Sequence, residues 1–410
     1  MQSETNGKLY LRNWLLLAAL MLLLSLTAAA QEAQPTCQPD DPDCGPFFVF
    51  ISGTVRNCAG QVLPGVTVTI QGSGTPATTT TDSMGRYSLR RRRGTYTVTP
   101  TPSGRYFFSP RSQQSNGDED ADFTRYPRDN RANFDGDCKT DVSDFNRGSG
   151  QWRSLNSTDG QVVSFYFGQS ADVLTPGDYN GDGRTDRAVF RPGNATWYVA
   201  TDTSGSFYGV QFGDTADLPV AGDYDGDGQT DIAVFRPGNG DWYIRRPDGS
   251  FYGVHFGQTA DIPAPADYDG DGRTDIAVFR PAGGDWYILN SSDGQVQSIH
   301  WGQTGDSPVQ ADYDGDGRAD LAVFRPEQQA KWYILNSSDG QMQAVQWGSP
   351  GDRPVPGDYD GDGRADIAVQ RPDSTGAWWI RPSATGSHYV VSNFGEFPVP
   401  LGYLSPRTYF

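Results

Sequence analysis

A nine-residue acidic sequence recurs through the second half of the chain at a nearly constant interval, and this repeat limits the possible folds more than any other feature. Five close copies, of which DYDGDGRTD at 267–275 is one, begin at Asp178, Asp223, Asp267, Asp312 and Asp358, with 44 to 46 residues between starts. A weaker copy begins 45 residues further upstream, at Asn133. Repeats of this length are typical of small structural units that stack on their neighbours and bury a shared core. We therefore expect six such units in residues 127–410.

Each unit has the pattern of four short β-strands. In the unit that begins at Asp267, strands are predicted at 275–279, 285–289, 297–301 and 307–313, and 290–294 is interpreted as a hairpin turn. Four antiparallel strands repeated every 40-odd residues predict the blades of a β-propeller. Six units predict six blades. The segment 397–403 copies the strand that precedes a loop, so it either closes the ring, which we favour, or begins a partial seventh blade.

The composition favours an all-β protein. The chain has 50 Gly and 28 Pro but only three Lys and five Glu, and helices favour Glu and Lys whereas turns favour Gly and Pro. The formal net charge is −18, which makes nucleic acid an unsuitable partner because phosphate binding needs clustered Lys and Arg.

The acidic loops have the chemistry of a site for a divalent cation. Carboxylates occupy positions 1, 3, 5 and 9, and glycine at positions 4 and 6 lets the chain curl so that the carboxylates converge. Like charges about 4 Å apart repel by roughly 4 kcal/mol at a surface-like dielectric, so such a loop is unfavourable without a cation. Ca²⁺ accepts six to eight oxygen ligands and fits better than Mg²⁺, which keeps its waters.

These loops resemble the calcium loops of FG-GAP (or VCBS) repeats, the blades of integrin-alpha-like propellers, over about residues 130–404. The resemblance implies four side-chain ligands and one backbone carbonyl, at position 7, in each loop. The implied ligands are Asp178, Asn180, Asp182, Arg184, Asp186, Asp223, Asp225, Asp227, Gln229, Asp231, Asp267, Asp269, Asp271, Arg273, Asp275, Asp312, Asp314, Asp316, Arg318, Asp320, Asp358, Asp360, Asp362, Arg364 and Asp366. About five Ca²⁺ are expected.

The weaker copy of the loop leaves open whether a sixth calcium ion binds. Ligand types are retained at Asn133, Asp135, Asp137 and Asp141, but Cys138 replaces the second glycine.

Residues 47–126 have a different pattern, of short half-buried strands. Val66, Val68 and Ile70 alternate with threonine, and 57–60 and 82–85 have the composition of turns, which predicts a small β-sandwich. The phrases SGTVRNCAGQVLPGVTVTI and TTTTDSMGRYSL resemble the carboxypeptidase regulatory-like family. The resemblance implies an immunoglobulin-like sandwich that serves as a spacer or binding module without catalysis. The run Arg90–Arg93 is interpreted as a solvated hairpin rim, with a polyanion patch as the alternative.

The N-terminus has the pattern of a secretory signal over residues 1–30. Lys8 and Arg12 precede an apolar run, and Ala28 to Ala30 supply a small-residue cleavage site. The alternative is an uncleaved membrane anchor. Residues 31–46 are predicted to be a linker. We therefore expect a secreted, extracellular or cell-surface protein, with the periplasm as the alternative, and no membrane span after cleavage.

Export makes the four cysteines candidates for disulfides. Cys37, Cys44, Cys58 and Cys138 allow three pairings. We favour Cys37–Cys44 and Cys58–Cys138, of which the second would link the two domains.

Two other recurrent sets have a structural and a functional interpretation. One Trp follows each loop start by 19 or 20 residues, and packing between blades is favoured over stacking on sugars. The Arg of each FRP tripeptide is expected to pair with a nearby Asp rather than to form an anion-binding ring.

The sequence favours a binding protein over an enzyme. No nucleophile elbow, zinc-protease helix or phosphate loop is present, and the three histidines do not form a motif. We expect a non-catalytic calcium-binding propeller that acts in adhesion or extracellular recognition and binds an extracellular protein or polysaccharide. The alternatives are a carbohydrate-binding protein and, less favoured, a propeller-fold polysaccharide lyase or hydrolase.

Overall fold

The computed structural model describes residues 48–399, apart from 59, 73, 103–105, 118, 128–131, 202–203 and 396. The predicted signal and linker, with Cys37 and Cys44, lie outside the described residues. Within them the chain forms β-strands in eight four-stranded sheets, with one short 3₁₀ turn at Pro192–Asn194. Among the described residues, no helix is long and apolar enough to cross a membrane.

The N-terminal unit is a sandwich of two sheets. Their strands are β1 (Phe48–Asn57), β2 (Thr67–Gln71), β3 (Ala77–Thr80), β4 (Arg86–Arg92), β5 (Tyr96–Pro100), β6 (Tyr106–Ser109), β7 (Gln113–Ser115) and β8 (Phe123–Pro127). One sheet has the order β4-β1-β8-β6 and the other β3-β2-β5-β7. The core contains Ile51, Val68 and Val98, which are fully buried because alternate residues of each strand face the opposite sheet.

Six four-stranded sheets with the same arrangement of strands follow the sandwich. Their strands are β9 (Val142–Asn146), β10 (Gln151–Leu155), β11 (Val162–Tyr166), β12 (Val173–Leu174), β13 (Arg187–Arg191), β14 (Thr196–Ala200), β15 (Tyr208–Gln211), β16 (Leu218–Pro219), β17 (Ile232–Arg236), β18 (Asp241–Arg245), β19 (Phe251–His255), β20 (Ile262–Pro263), β21 (Ile276–Arg280), β22 (Asp285–Leu289), β23 (Val296–His300), β24 (Ser307–Pro308), β25 (Leu321–Arg325), β26 (Lys331–Leu335), β27 (Met342–Gln346), β28 (Arg353–Pro354), β29 (Ile367–Gln370), β30 (Trp378–Arg381), β31 (Tyr389–Val391) and β32 (Phe397–Pro398). Neighbouring strands are antiparallel throughout these sheets. Repeated four-stranded antiparallel sheets of this kind are the blades of a β-propeller.

Burial falls from the first long strand of each sheet to the last. The IAVFR-type strands, such as β21, bury four consecutive residues, the next strand buries alternate residues, and the outermost strand is largely exposed. The first long strand therefore lies between neighbouring sheets, and the last forms the outer edge.

The recurrent tryptophans belong to the core. All six are at most 1% exposed, and each indole Nε1 donates to the carbonyl of the Phe or Trp that ends its unit, as in Trp286 to Trp301 at 2.8 Å. The set is Trp152, Trp197, Trp242, Trp286, Trp332 and Trp378. A buried indole offers no face to a sugar, so these residues pack the sheets together.

The two ends of the repeat region meet in one sheet. Strand β32 pairs with β9, with Phe397 opposite Phe145, and completes the sheet β11-β10-β9-β32. Val399 is fully buried beside Phe145 and Trp152. The C-terminal segment therefore supplies the fourth strand of the first sheet, as ring closure requires.

This closure gives a first prediction. Val399→Ala removes two buried side-chain carbon atoms at the junction, so we expect the free energy of unfolding to fall by about 2 kcal/mol. The matched control is Val296→Ala on the outer strand β23, where the valine is 58% exposed and the loss should stay below about 1 kcal/mol. Denaturant titration followed by tryptophan fluorescence measures both. Equal losses would mean that the C-terminal segment does not help to close the ring.

Candidate metal centres

Each of the five close copies of the acidic loop joins the short first strand of a sheet to the buried second strand, and it curls around its own carboxylates. In the loop that begins at Asp267, the position-1 carboxylate accepts the N–H groups of Gly270 and Gly272 at 2.7 and 2.8 Å. Asp275, at position 9, accepts the N–H of Tyr268 at 2.7 Å. The two glycines have φ of 79° and 85°, which a residue with a Cβ rarely adopts. The sequence DYDGDGRTD therefore folds with its side-chain oxygens on the inside.

The loop carboxylates converge in four copies. In each, three aspartates offer oxygen atoms that lie within 4.8 Å of one another. These groups are Asp223, Asp225 and Asp231; Asp267, Asp269 and Asp271; Asp312, Asp314 and Asp316; Asp358, Asp360 and Asp366. In the copy that begins at Asp178, an amide replaces one acid, and Asn180 Nδ2 donates to Asp182 at 3.1 Å. Clusters of this kind could hold a metal ion.

Burial makes these carboxylates difficult to ionise. Desolvation, followed by the charges of neighbouring carboxylates, raises the pKa of Asp186 and Asp231 to about 8. The same causes raise the pKa of Asp267 and Asp366 to about 7. A divalent cation would restore the ionised form by supplying the opposite charge.

The donor set fits a hard cation. Every candidate side-chain ligand is a carboxylate or an amide, with neither imidazole nor thiolate, which suits Ca²⁺ or Mg²⁺ rather than a transition metal. Asp231 Oδ1 is buried and has no hydrogen-bond partner among the described residues. A buried oxygen of this kind is costly unless a ligand satisfies it.

Sequence reasoning missed a second set of contacts to the carboxylates, from the turn between the last two strands. Ser291 N donates to Asp275 at 2.6 Å, Ser291 Oγ to Asp271 at 2.9 Å, and Ser292 Oγ to Asp269 at 2.6 Å. Equivalent contacts come from Ser157, Ser337 and Ser383. These contacts could have been predicted from a serine that lies 16 or 17 residues after position 9 in four of the six copies.

The copy that begins at Asp223 differs because arginines approach its carboxylates. Arg246 lies 3.6 Å from Asp225, and Arg111 of the sandwich lies 3.5 Å from Asp227. This is also the copy with an uncharged residue, Gln229, at position 7.

The weaker copy keeps the same curl. Asp141 accepts the N–H of Phe134 at 2.7 Å, and Asn133 Oδ1 accepts the N–H of Gly136 at 2.9 Å. Cys138 adopts φ of 75° where the other copies have glycine, and it forms a disulfide with Cys58, with Cα atoms 5.8 Å apart. Burial raises the pKa of Asp141 to about 7.

The FRP arginines do not form an anion site. Each forms a bidentate salt bridge with a buried aspartate 19 residues earlier in the sequence, as Arg280 does with Asp261 at 2.8 and 2.9 Å. The pairs are Arg191–Asp172, Arg236–Asp217, Arg280–Asp261 and Arg325–Asp306, and Arg371–Asp352 in the QRP tripeptide at the same position of the last copy. Their guanidinium groups are therefore already engaged within the fold.

Comparison with known families accounts for both parts of the chain. Residues 51–124 match the carboxypeptidase regulatory-like domain, and FG-GAP-like repeats match at 178–234, 223–278, 267–323 and 312–369. The chain is a carboxypeptidase regulatory-like domain followed by FG-GAP-like repeats. The five loops that begin at Asp178, Asp223, Asp267, Asp312 and Asp358 lie within the matched repeats, and the weaker copy at 133–141 lies upstream of them. No curated protein matches the chain.

Solved structures similar to this chain are distant. TolB from Acinetobacter baumannii is 14% identical, with 63% of this chain and 64% of that chain covered and a TM-score of 0.46. A streptogramin B lyase is 12% identical, with coverage of 62% and 90% and a TM-score of 0.40. Virginiamycin B lyase from Staphylococcus aureus is 9% identical, with coverage of 64% and 86% and a TM-score of 0.40. Likenesses of this size carry no argument about activity.

The raised carboxyl pKa values predict an unusual pH dependence. An aspartate whose pKa is about 4 unfolded and 6 to 8 folded stabilises the metal-free fold at low pH, and this stability is lost as the pH rises through the folded value. In EDTA we therefore expect the melting temperature of the FG-GAP-like repeats to fall by several degrees between pH 5.5 and pH 8.

The control is the same series in excess calcium. There the melting temperature should rise with pH, because protons compete with the cation for the same oxygens. Parallel curves in the two series would contradict the assignment of these loops as metal centres.

Proposed function

We propose that the FG-GAP-like repeats bind about five Ca²⁺, in the loops that begin at Asp178, Asp223, Asp267, Asp312 and Asp358, and that the chain acts outside the cell in adhesion or recognition without catalysis. The observation that carries the proposal is the convergence of three acidic side chains around one point in four loops, with a buried aspartate at position 9. Ca²⁺ is preferred over Mg²⁺ because four side-chain ligands and one carbonyl, completed by water, suit the six to eight oxygens that Ca²⁺ accepts, whereas Mg²⁺ keeps several of its waters.

Calcium would act as a structural element of the ring. A site at ten times its dissociation constant stabilises the fold by about 1.4 kcal/mol, so five sites together are comparable to the stability of a domain. Because the loops of adjacent sheets hydrogen-bond to one another, as in Ala319 N to Asp267 O at 2.7 Å, an ion in one loop also stiffens the next.

Two observations support an extracellular location. The disulfide Cys58–Cys138 suits an oxidising compartment. FG-GAP-like repeats are also typical of extracellular proteins.

The first residue of every outer strand is a large apolar residue that is at least 42% exposed. The six are Val162, Tyr208, Phe251, Val296, Met342 and Tyr389. Each of these residues stands on a different sheet, and apolar residues exposed singly are ordinary on protein surfaces, so the set does not by itself mark a binding surface.

The positions of the histidines agree with a non-catalytic role. His255 and His300 lie on outer strands, and each pairs with one aspartate, Asp241 or Asp285, at 2.8 Å. His388 packs against Trp347 and Trp379. A catalytic site needs groups that converge on one reacting atom, and these three are spread over different sheets.

Metal analysis tests the proposal. We expect about five calcium ions per chain after equilibration and gel filtration, and Asp316→Asn should remove about one of them because position 5 loses its charge. The matched control is Asp339→Asn, in the exposed turn of the same unit, which should keep the full count. Absence of bound calcium in the unmodified chain, or equal counts in the two variants, would refute calcium binding by these loops.

A further inference from the structure

The seventh residue of the acidic loops is basic in five of the six copies. The set is Lys139, Arg184, Gln229, Arg273, Arg318 and Arg364. At this position a metal would use only the backbone carbonyl, so the ion does not dictate the side chain. A basic residue repeated here, in a chain of net charge −18, calls for another explanation.

All six side chains meet at one cavity. It has a volume of about 350 Å³ and is lined by the six loops, including the position-1 aspartates of the five close copies, together with Asn57, Phe107 and Arg125 of the sandwich. Because each loop contributes its position-7 residue to the same space, the five cations form a ring. We refer to Lys139, Arg184, Arg273, Arg318 and Arg364 as the cationic ring.

Each side chain of this set is held in place by the preceding loop. A Cβ built on Gly270 would lie 3.0 Å from Cγ of Arg318, and one built on Gly315 would lie 2.8 Å from Cγ of Arg364. The same relation closes the circle, since a Cβ on Gly361 would lie 3.0 Å from Cε of Lys139. The glycine at position 4 thus makes room for the aliphatic part of the next cation and fixes its direction.

The cationic ring has no acidic partners within the described residues. Every FRP arginine forms a short ion pair, yet none of the five ring cations does so. Arg184, Arg273, Arg318 and Arg364 are exposed with the sandwich present. Their guanidinium groups therefore remain available to a ligand from solution.

We propose that the cationic ring binds a small ligand that carries several carboxylate or sulfate groups. A guanidinium group binds these oxyanions through two parallel hydrogen bonds, and cations placed around one cavity favour a ligand with several anionic groups. The volume lies at the lower end of the range for small-molecule sites. The inference deepens the proposed function by naming a ligand class, and it rests on calcium binding, because the position-1 aspartates of the five close loops line the same cavity and calcium would offset their charge.

The test compares two sets of three substitutions by calorimetry in 1 mM calcium. The probes are benzene-1,3,5-trisulfonate and benzene-1,3,5-tricarboxylate, which are small enough for the cavity and separate a sulfate-like from a carboxylated ligand, with 1,3,5-trihydroxybenzene as the uncharged reference. We expect at least one anionic probe to bind the unmodified chain. Binding should weaken at least tenfold in Arg273→Gln/Arg318→Gln/Arg364→Gln, whereas the corresponding Lys variant should keep part of it.

The matched control removes the same charge elsewhere. Arg90→Gln/Arg92→Gln/Arg93→Gln, in the hairpin of the sandwich, should change the affinity less than twofold. Equal losses in the two triple variants would show diffuse attraction only, and full affinity in the ring variant would show that the anion binds elsewhere, for example to calcium itself. Either result, or no binding of either anionic probe, overturns the proposal.

Measuring the calcium content and the circular dichroism spectrum of every sample distinguishes a failure of the anion site from a failure of calcium binding or folding. A ring variant with normal calcium content and weakened binding supports the anion site. Normal calcium content without binding in the unmodified chain removes the anion site and leaves calcium binding intact.

Discussion

The acidic loops hold one another in shape through a closed cycle of hydrogen bonds. In each, the N–H of position 8 donates to the carbonyl of position 1 in the preceding loop, at 2.7 to 2.8 Å. The six bonds run from Thr185 to Asn133, Thr230 to Asp178, Thr274 to Asp223, Ala319 to Asp267, Ala365 to Asp312 and Thr140 to Asp358. The last bond returns to the first loop, so no loop can change its curl without disturbing a neighbour. The backbone that would enclose a cation is therefore also the backbone that joins the sheets.

The sandwich lies against this same cycle. The disulfide attaches Cys58 to the first loop, and the ring of Tyr126 lies where a Cβ on Gly183 would be, at 2.5 Å. Arg111 reaches Asp227 in the third loop. Glycine at position 6 thus serves two purposes, since it allows the positive φ and admits an aromatic side chain of the other domain. The arrangement of the two domains depends on the shape of loops that the cation would complete.

The sequence indicated the features that repeat within one unit. Strands were predicted at 275–279 and 285–289, and the structure has Ile276–Arg280 and Asp285–Leu289. Asp275 falls outside its strand because it forms only an isolated bridge with Ala266 at the neck of the loop. The strand predicted at 307–313 shortens to Ser307–Pro308 for a related reason, since the residues after it lead into the acidic loop.

The sequence did not predict which residues of different strands or different units contact one another. The cycle of hydrogen bonds, the serine contacts and the cavity each join residues of different strands or different copies, and the spacing within one copy does not reveal which neighbour they meet. The partner of each FRP arginine lies 19 residues upstream, before the acidic loop and therefore in the preceding repeat, although it adjoins the first strand of the same sheet. Such partners are found only once the register between strands is known.

Arginine occurs twice in most repeats, and the two positions have opposite surroundings. The FRP arginine is paired with a buried aspartate and stacks on an aromatic ring, as Arg280 does on Tyr287 at 4.3 Å. The position-7 arginine has neither kind of partner in the described structure.

If the ring cations served only to neutralise the loops, contact with the loop carboxylates would do this more effectively, because Coulomb attraction weakens with distance. That solution does occur in the third copy, where Arg246 and Arg111 approach the carboxylates directly and position 7 is Gln229. The other copies place the cation over the neighbouring glycine and direct it toward the common cavity, which is the arrangement expected of groups that bind a ligand.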